Sequence, residues 1–89
     1  MAHWLYVLRC GDGSLYTGYT TDVAARLRSH ASGRGARYTR GRGPLTLAAA
    51  WIYPDKRTAM QAEYRFKQFR RALKLHWLGQ AAVDPALRP

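Results

Sequence analysis

The chain has 89 residues, 47% of them hydrophobic and 22% charged, which suits one small globular domain and excludes a wholly disordered chain. Although its last residues are expected to form a loose tail, the chain as a whole is read as globular and not disordered, and fifteen Lys and Arg against five Asp and Glu leave it a formal charge of +10, an imbalance that a compact fold tolerates best beside a polyanion such as nucleic acid. The single cysteine, Cys10, excludes an internal disulfide and a cysteine zinc cluster and suits a reducing, cytoplasmic setting, while no apolar run or leader pattern suggests a membrane.

In chain order, residues 3–10 (His-Trp-Leu-Tyr-Val-Leu-Arg-Cys) are aromatic and branched enough for a buried strand. Gly11-Asp12-Gly13-Ser14 is a hairpin turn, and residues 15–20 are the returning strand. Thr20, Thr21 and Asp22 offer N-caps for a helix over 22–32 that Gly33 closes. Val23, Leu27 and Ala31 recur every four residues and give it one packed face. Residues 33–44 hold four Arg, four Gly and no acid, which predicts a loop. Leu45–Tyr53 reads as a third strand despite the alanines at 48–50. Pro54 to Arg57 turns the chain into a helix over Thr58–Phe69, and a last helix over Ala72–Leu78 ends at Gly79. The order β-β-α-β-α-α predicts an α+β fold, a small three-stranded antiparallel sheet with flanking helices. Residues 1–80 are expected to form one domain and 81–89 a loose tail.

The charged residues divide by kind. Twelve of the fifteen cations are arginines, whose planar fork pairs with phosphate oxygens as an ammonium cannot. Asp12, Asp22, Asp55 and Asp84 all sit where a turn or a helix cap would use them. Glu63 is the one glutamate, set inside a helical pattern.

Two aromatic triplets on adjacent strands, Leu5-Tyr6-Val7 and Tyr16-Thr17-Gly18, precede a helix bearing Arg26 and His30 and a later helix bearing Glu63. This set resembles the GIY-YIG nucleases over about residues 3–78, and the segment 8–18 resembles the small stand-alone bacterial proteins of that family. The first triplet keeps only its tyrosine, and the second keeps Tyr and Gly. The resemblance implies metal-dependent hydrolysis of a DNA phosphodiester. It makes Tyr16 the general base that takes a proton from water, with Tyr6 hydrogen-bonding in the same pocket. Arg26 would stabilise charge on the phosphoryl oxygens, His30 would share the site, and Glu63 would hold one Mg²⁺ or Mn²⁺. The chemistry is coherent: a phenol with an ordinary pKa is only about 0.1% ionised at neutral pH, and a guanidinium and a metal nearby favour the phenolate. A phosphoryl transition state gains negative charge, which a preorganised guanidinium stabilises.

Strand parity supplies an independent test. A two- or four-residue loop pairs Cys10 with Leu15 and puts Tyr6 and Tyr16 on opposite faces. A three-residue loop, Gly11 to Gly13 with Gly13 left-handed, pairs Leu8 with Tyr16 and puts both tyrosines on one face. A shared site therefore predicts the odd loop or a β-bulge.

Each feature also has a plainer reading. Tyr6 and Tyr16 could be strand aromatics, Arg26 a solvated helix charge, and Glu63 an i,i+4 partner of Lys67. His3 and His76 have no metal spacing with His30 and read as structural. Arg34, Arg37, Tyr38, Arg40 and Arg42 in the loop, with Lys67, are expected to track a nucleic-acid backbone, and Arg70, Arg71 and Lys74 would extend that surface. Phe66, Phe69 and Trp77 are expected in the core. Two features depart from the family pattern: the chain contains no asparagine to follow the metal glutamate, and Tyr19 replaces a lysine after the second triplet. No second domain for target recognition is visible. A DNA endonuclease without an obligate protein partner is the leading reading, a non-catalytic nucleic-acid-binding module the next, and a docking domain for an acidic protein the third.

Overall fold

A computed structural model describes residues 2–80. Three strands, β1 (His3–Arg9), β2 (Leu15–Thr20) and β3 (Thr46–Tyr53), form one antiparallel sheet in the order β2-β1-β3. Helices α1 (Val23–Ala31), α2 (Lys56–Gln68) and α3 (Arg71–Gln80) flank it, so the α+β fold and element order expected from the sequence are those observed. Helix α2 begins two residues earlier than expected because Asp55 caps it, its Oδ1 accepting the Thr58 amide at 2.8 Å. Helix α3 runs through Gly79 rather than ending there. The expected loop at 33–44 contains a 3₁₀ turn, Arg37–Thr39. Asp84 and the expected tail at 81–89 lie outside the described residues.

The hairpin resolves the parity question. Its loop is the three-residue one: the Cys10 amide donates to Ser14 O and the Gly13 amide to Cys10 O, both at 2.9 Å, with Gly13 at φ +85°. Arg9 then faces Leu15, Leu8 faces Tyr16 and Tyr6 faces Gly18. Tyr6 and Tyr16 therefore share a face. On the other side of β1 the register slips between Val7, which faces Ala49, and Leu8, which faces Leu47. Ala48 is the extra residue of that bulge. The alanines that weaken β3 as a strand on paper are its fitted part: Ala49 lies opposite Val7 and Ala50 opposite Tyr6, and both are buried.

Alternation along the strands separates two layers of packing. Tyr6 and Leu8 meet Val23 and Leu27 of α1 on one face, with Leu47 and Ala50. Leu5 and Val7 meet Phe66 of α2 on the other, with Trp51, Phe69 and Leu78 against them. Asp22 starts α1 by accepting the Ala25 amide at 3.0 Å, and Val23, Leu27 and His30 form its buried stripe. Phe66 and Phe69 pack as expected, but Trp77 is 45% exposed. Leu78 takes the inward position, and one residue earlier on a helix points about 100° away. Among the described residues no helix is long and apolar enough to cross a membrane.

Candidate active site

The register and the α1 stripe bring four polar side chains to one face of the sheet. Tyr6 on the central strand is 1% exposed and His30 in the last turn of α1 is 2% exposed. Their Oη and Nε2 atoms are 2.7 Å apart. Arg26, one turn before His30, directs Nε at the Tyr6 hydroxyl from 3.4 Å. The Tyr16 ring lies 6.2 Å from Tyr6 and meets His30 edge-on at 5.2 Å. Tyr6 and His30 are thus enclosed, whereas Tyr16 and Arg26 are half-buried at the rim. Gly18 makes this possible: a Cβ there would sit 2.6 Å from the Tyr6 hydroxyl. Only hydrogen at that position leaves room for the phenol to lie across β2.

The environment assigns protonation states. Burial pushes the Tyr6 phenol up to about 12, against the opposing pull of the Arg26 hydrogen bond. Burial, with the Arg26 charge second, holds His30 below the usual imidazole range. The hydrogen bond to Tyr6 holds the Arg26 guanidinium up and charged. At neutral pH the enclosed pair is a neutral phenol and a neutral imidazole beside one fixed cation.

Residues 33–44 are tied to this site rather than hanging free. Tyr38 stacks on Tyr16 with ring centres 6.0 Å apart, and the Arg42 guanidinium lies 4.3 Å above the Tyr38 ring. Arg42 also pairs with Asp12 at 2.6 Å, and its backbone carbonyl accepts the Gly11 amide at 2.6 Å. Burial of Thr39 is nearly complete at 2% exposure, and its Oγ1 lies 2.9 Å from His30 Nδ1. Gly35 passes over the same ring so closely that a Cβ would strike it. Arg40 donates through Nε to Gly33 O at 3.1 Å. Arg34, Arg37 and Arg40 are exposed, so the face the loop presents to solvent is basic. Asp12, Gly35 and Thr39 escape a sequence reading because composition there speaks only of turns and charge. The one clue is that a single aliphatic hydroxyl among glycines and arginines suits a closing hydrogen bond.

Glu63 lies on the packed stripe of α2, between buried Ala59 and Phe66. Its side chain is only 15% exposed, and Lys67 Nζ stands 3.8 Å from Oε2. Helix α2 covers the face opposite the tyrosines and packs against β2, the strand that carries Tyr16. The structure joins Tyr6, Tyr16, Arg26 and His30, while Glu63 stands on the helix that packs against the opposite face of the sheet. Among the described residues no group of three His, Cys, Asp or Glu could hold a metal ion. A loosely paired carboxylate still fits a hard divalent cation that keeps most of its shell as water and phosphate.

His3 and His76, expected to be structural, have ring contacts, the latter edge-on with Trp77, whereas of the cations expected to extend the basic surface Arg71 and Lys74 are held against the fold and Arg70 is free to solvent. His3 Nδ1 lies 2.8 Å from the Tyr19 hydroxyl, with the rings stacked. Arg71 donates to Gly13 O at 2.9 Å, steadying the hairpin tip from α3. Lys74 sits over the Phe66 ring, and Arg70 is exposed.

Comparison with known proteins shows the family and the fold. The model of the GIY-YIG catalytic domain matches residues 2–75. The chain is 57% identical to the UPF0213 protein BH0048 of Halalkalibacterium halodurans over 83% of its own length and 79% of the relative's. It is 56% identical to a UPF0213 protein of Streptococcus sanguinis over 84% of its length and 86% of that protein. Two solution NMR structures are similar, each covering 90% of this chain and 85% of the other. The UPF0213 protein BH0048 from Bacillus halodurans has a TM-score of 0.60 at 52% identity, and EF2693 from E. faecalis has 0.64 at 39%.

Proposed function

Since the chain belongs to the GIY-YIG domain family, we propose that it is a metal-dependent DNA endonuclease of the cytoplasm, formed by one domain over residues 1–80. The observation that carries this reading is the convergence of Tyr6, Tyr16, Arg26 and His30, with two of them enclosed and two at the rim.

The reaction divides among these side chains. Tyr16 Oη, half-exposed beside the Arg26 charge, gives its own proton to solvent and as the phenolate takes one from the attacking water molecule, a proton that solvent removes before the next turnover. The water oxygen bonds to phosphorus as the bond to O3′ breaks. The products are a 5′-phosphate and a 3′-hydroxyl, whose oxygen takes its proton from solvent. Arg26 donates to the phosphoryl oxygens, on which charge accumulates. Tyr6 stays a phenol throughout, since its proton is held well above neutrality, and it positions Arg26 through their shared contact. Glu63 would hold Mg²⁺ or Mn²⁺, which when bound supplies polarisation of the phosphate and stabilisation of the leaving oxygen. Arg34, Arg37 and Arg40 hold the nucleic-acid backbone beside the site, with Lys67 on the α2 side. Arg42, paired with Asp12, adds its contact through Tyr38, which it holds against Tyr16.

The test is incubation of the pure protein and a Glu63→Ala variant with labelled single- and double-stranded DNA, with and without Mg²⁺ or Mn²⁺. Metal-dependent cleavage that the variant lacks is expected. Equal cleavage by both proteins would remove Glu63 from the site. One observation favours a second reading, a nucleic-acid-binding module: among the described residues the carboxylate belongs to no group of three potential ligands, and Lys67 is its neighbour. Tight binding that weakens steeply with salt, without cleavage of any substrate, is the result that module would give.

A further inference from the structure

Behind the tyrosines runs a line of buried polar contacts that leads out of the site into the basic loop. Tyr6 Oη lies 2.7 Å from His30 Nε2, and His30 Nδ1 lies 2.9 Å from Thr39 Oγ1. Thr39 Oγ1 in turn lies 2.9 Å from the Ala36 carbonyl. Tyr6, His30 and Thr39 are each at most 2% exposed, so protein groups must satisfy them, and every buried side-chain polar atom among the described residues has a partner.

The contacts along this line point to its direction. The Ala36 oxygen accepts the Thr39 amide at 3.1 Å, and the Thr39 hydroxyl, 2.9 Å away, donates its one proton to the same oxygen as a second bond. Oγ1 is then left to accept, and Nδ1 must be the protonated ring nitrogen. A neutral imidazole with Nδ1–H has a bare Nε2, which takes the Tyr6 proton. The opposite tautomer would suit the Ala36 amide, which approaches Nδ1 at 3.4 Å. That contact is the longest at the ring, at the limit of a hydrogen bond, and the 2.9 Å pair outweighs it.

We propose that Thr39 is a positioning residue: it sets the tautomer of His30, which aims the Tyr6 hydroxyl proton away from Tyr16 and leaves the Tyr6 oxygen facing Arg26. This deepens the endonuclease reading and rests on it for its catalytic consequence, but the tautomer itself does not. Thr39 belongs to the same turn as Tyr38, which lies on Tyr16. Consecutive residues of the basic loop therefore grip the two halves of the site, Tyr38 the rim and Thr39 the interior.

The experiment is long-range ¹H–¹⁵N NMR of the imidazoles in the parent protein, Thr39→Ser and Thr39→Val, with cleavage rates on the DNA substrates above. The parent and Thr39→Ser are expected to show His30 protonated at Nδ1, with a cross-peak from that proton to residue 39. In Thr39→Val, which keeps the shape and loses the acceptor, Nε2–H is expected to become populated. Cleavage is expected to fall roughly 10–100-fold in Thr39→Val, the range seen when a residue orienting a ligand imidazole is removed, and to be restored in Thr39→Ser. Nε2–H in the parent, or an unchanged tautomer in a folded Thr39→Val, overturns the proposal. If Thr39→Val does not fold, the cross-peak in the parent decides: its presence supports the proposal and its absence overturns it. A protein with the expected tautomers and no cleavage would sink the endonuclease reading alone.

Discussion

Leu5, Tyr6, Val7 and Leu8 are successive residues of the central strand, all at most 3% exposed, yet they face two different interiors. On the side of Leu5, Val7 and Trp51 the sheet meets Phe66 and Phe69, an apolar layer held mainly by burial and ring packing. On the side of Tyr6 the layer includes a hydroxyl, an imidazole and a guanidinium, joined at 2.7 and 3.4 Å. The apolar layer depends on filled volume and not on direction. In the polar layer each group must meet a partner at a set angle, and a single misplaced proton leaves a buried donor or acceptor unpaired. One face carries stability and the other carries the site, and a strand buried on both sides lets the first hold the second still.

Four changes separate the two faces, beginning with the largest. Tyr16→Phe is expected to lower cleavage roughly 10²–10⁴-fold, the usual weight of a general base, with the thermal midpoint close to the parent's. Cleavage at the parent's rate would move the base elsewhere. Phe66→Ala, on the apolar face, is expected to cost about 3–5 kcal/mol in urea unfolding, with normal cleavage per folded molecule. A selective loss of activity there would mean that the faces are not independent.

Gly18→Ala should affect both readouts at once, because its methyl displaces the Tyr6 hydroxyl. A stability loss of about 1–3 kcal/mol is expected from overpacking, together with reduced turnover. The smallest effect is on pH dependence. The unfolded Tyr6 phenol ionises at its ordinary value of 10.0 and the folded one at about 12, so between these values the folded chain holds more protons and stability falls as pH rises. For His30, lowered by burial from 6.5, the sign reverses: stability falls as pH drops below 6.5, where the unfolded imidazole protonates first. Tyr6→Phe should remove the alkaline loss and keep the acid one, which unfolding midpoints across pH would show.

Most of this architecture is legible in the sequence because it rests on local rules. Alternation, the Gly11–Gly13 loop and the Asp22 cap are short-range, and together they fix which residues share a face. Parity leaves both placings of Tyr6 and Tyr16 open on paper, and the three-residue length of the loop decides between them. Hidden from such rules is everything that depends on a chain segment returning from a distance. Thr39 is nine residues from the ring it touches, and Asp12 is thirty from Arg42. A glycine- and arginine-rich stretch has no periodicity to show that one of its residues is buried. Trp77 is the converse: helical spacing made it look like core, but it stays largely exposed at the rim of a cavity it shares with Leu5 and Trp51, while the neighbouring Leu78 packs inside.

The contact between Tyr6 and Gly18 also constrains the order in which the chain could change. While the phenol lies across β2, no side chain fits at position 18. If the ring at 6 were first exchanged for something small, a methyl at 18 would cost little. From that point the phenol could not return until position 18 was cleared again, since each step back passes through a clash. Loss of the buried tyrosine would thus act as a ratchet, locking a descendant chain out of this site while its fold, carried by the other face of the sheet, persisted.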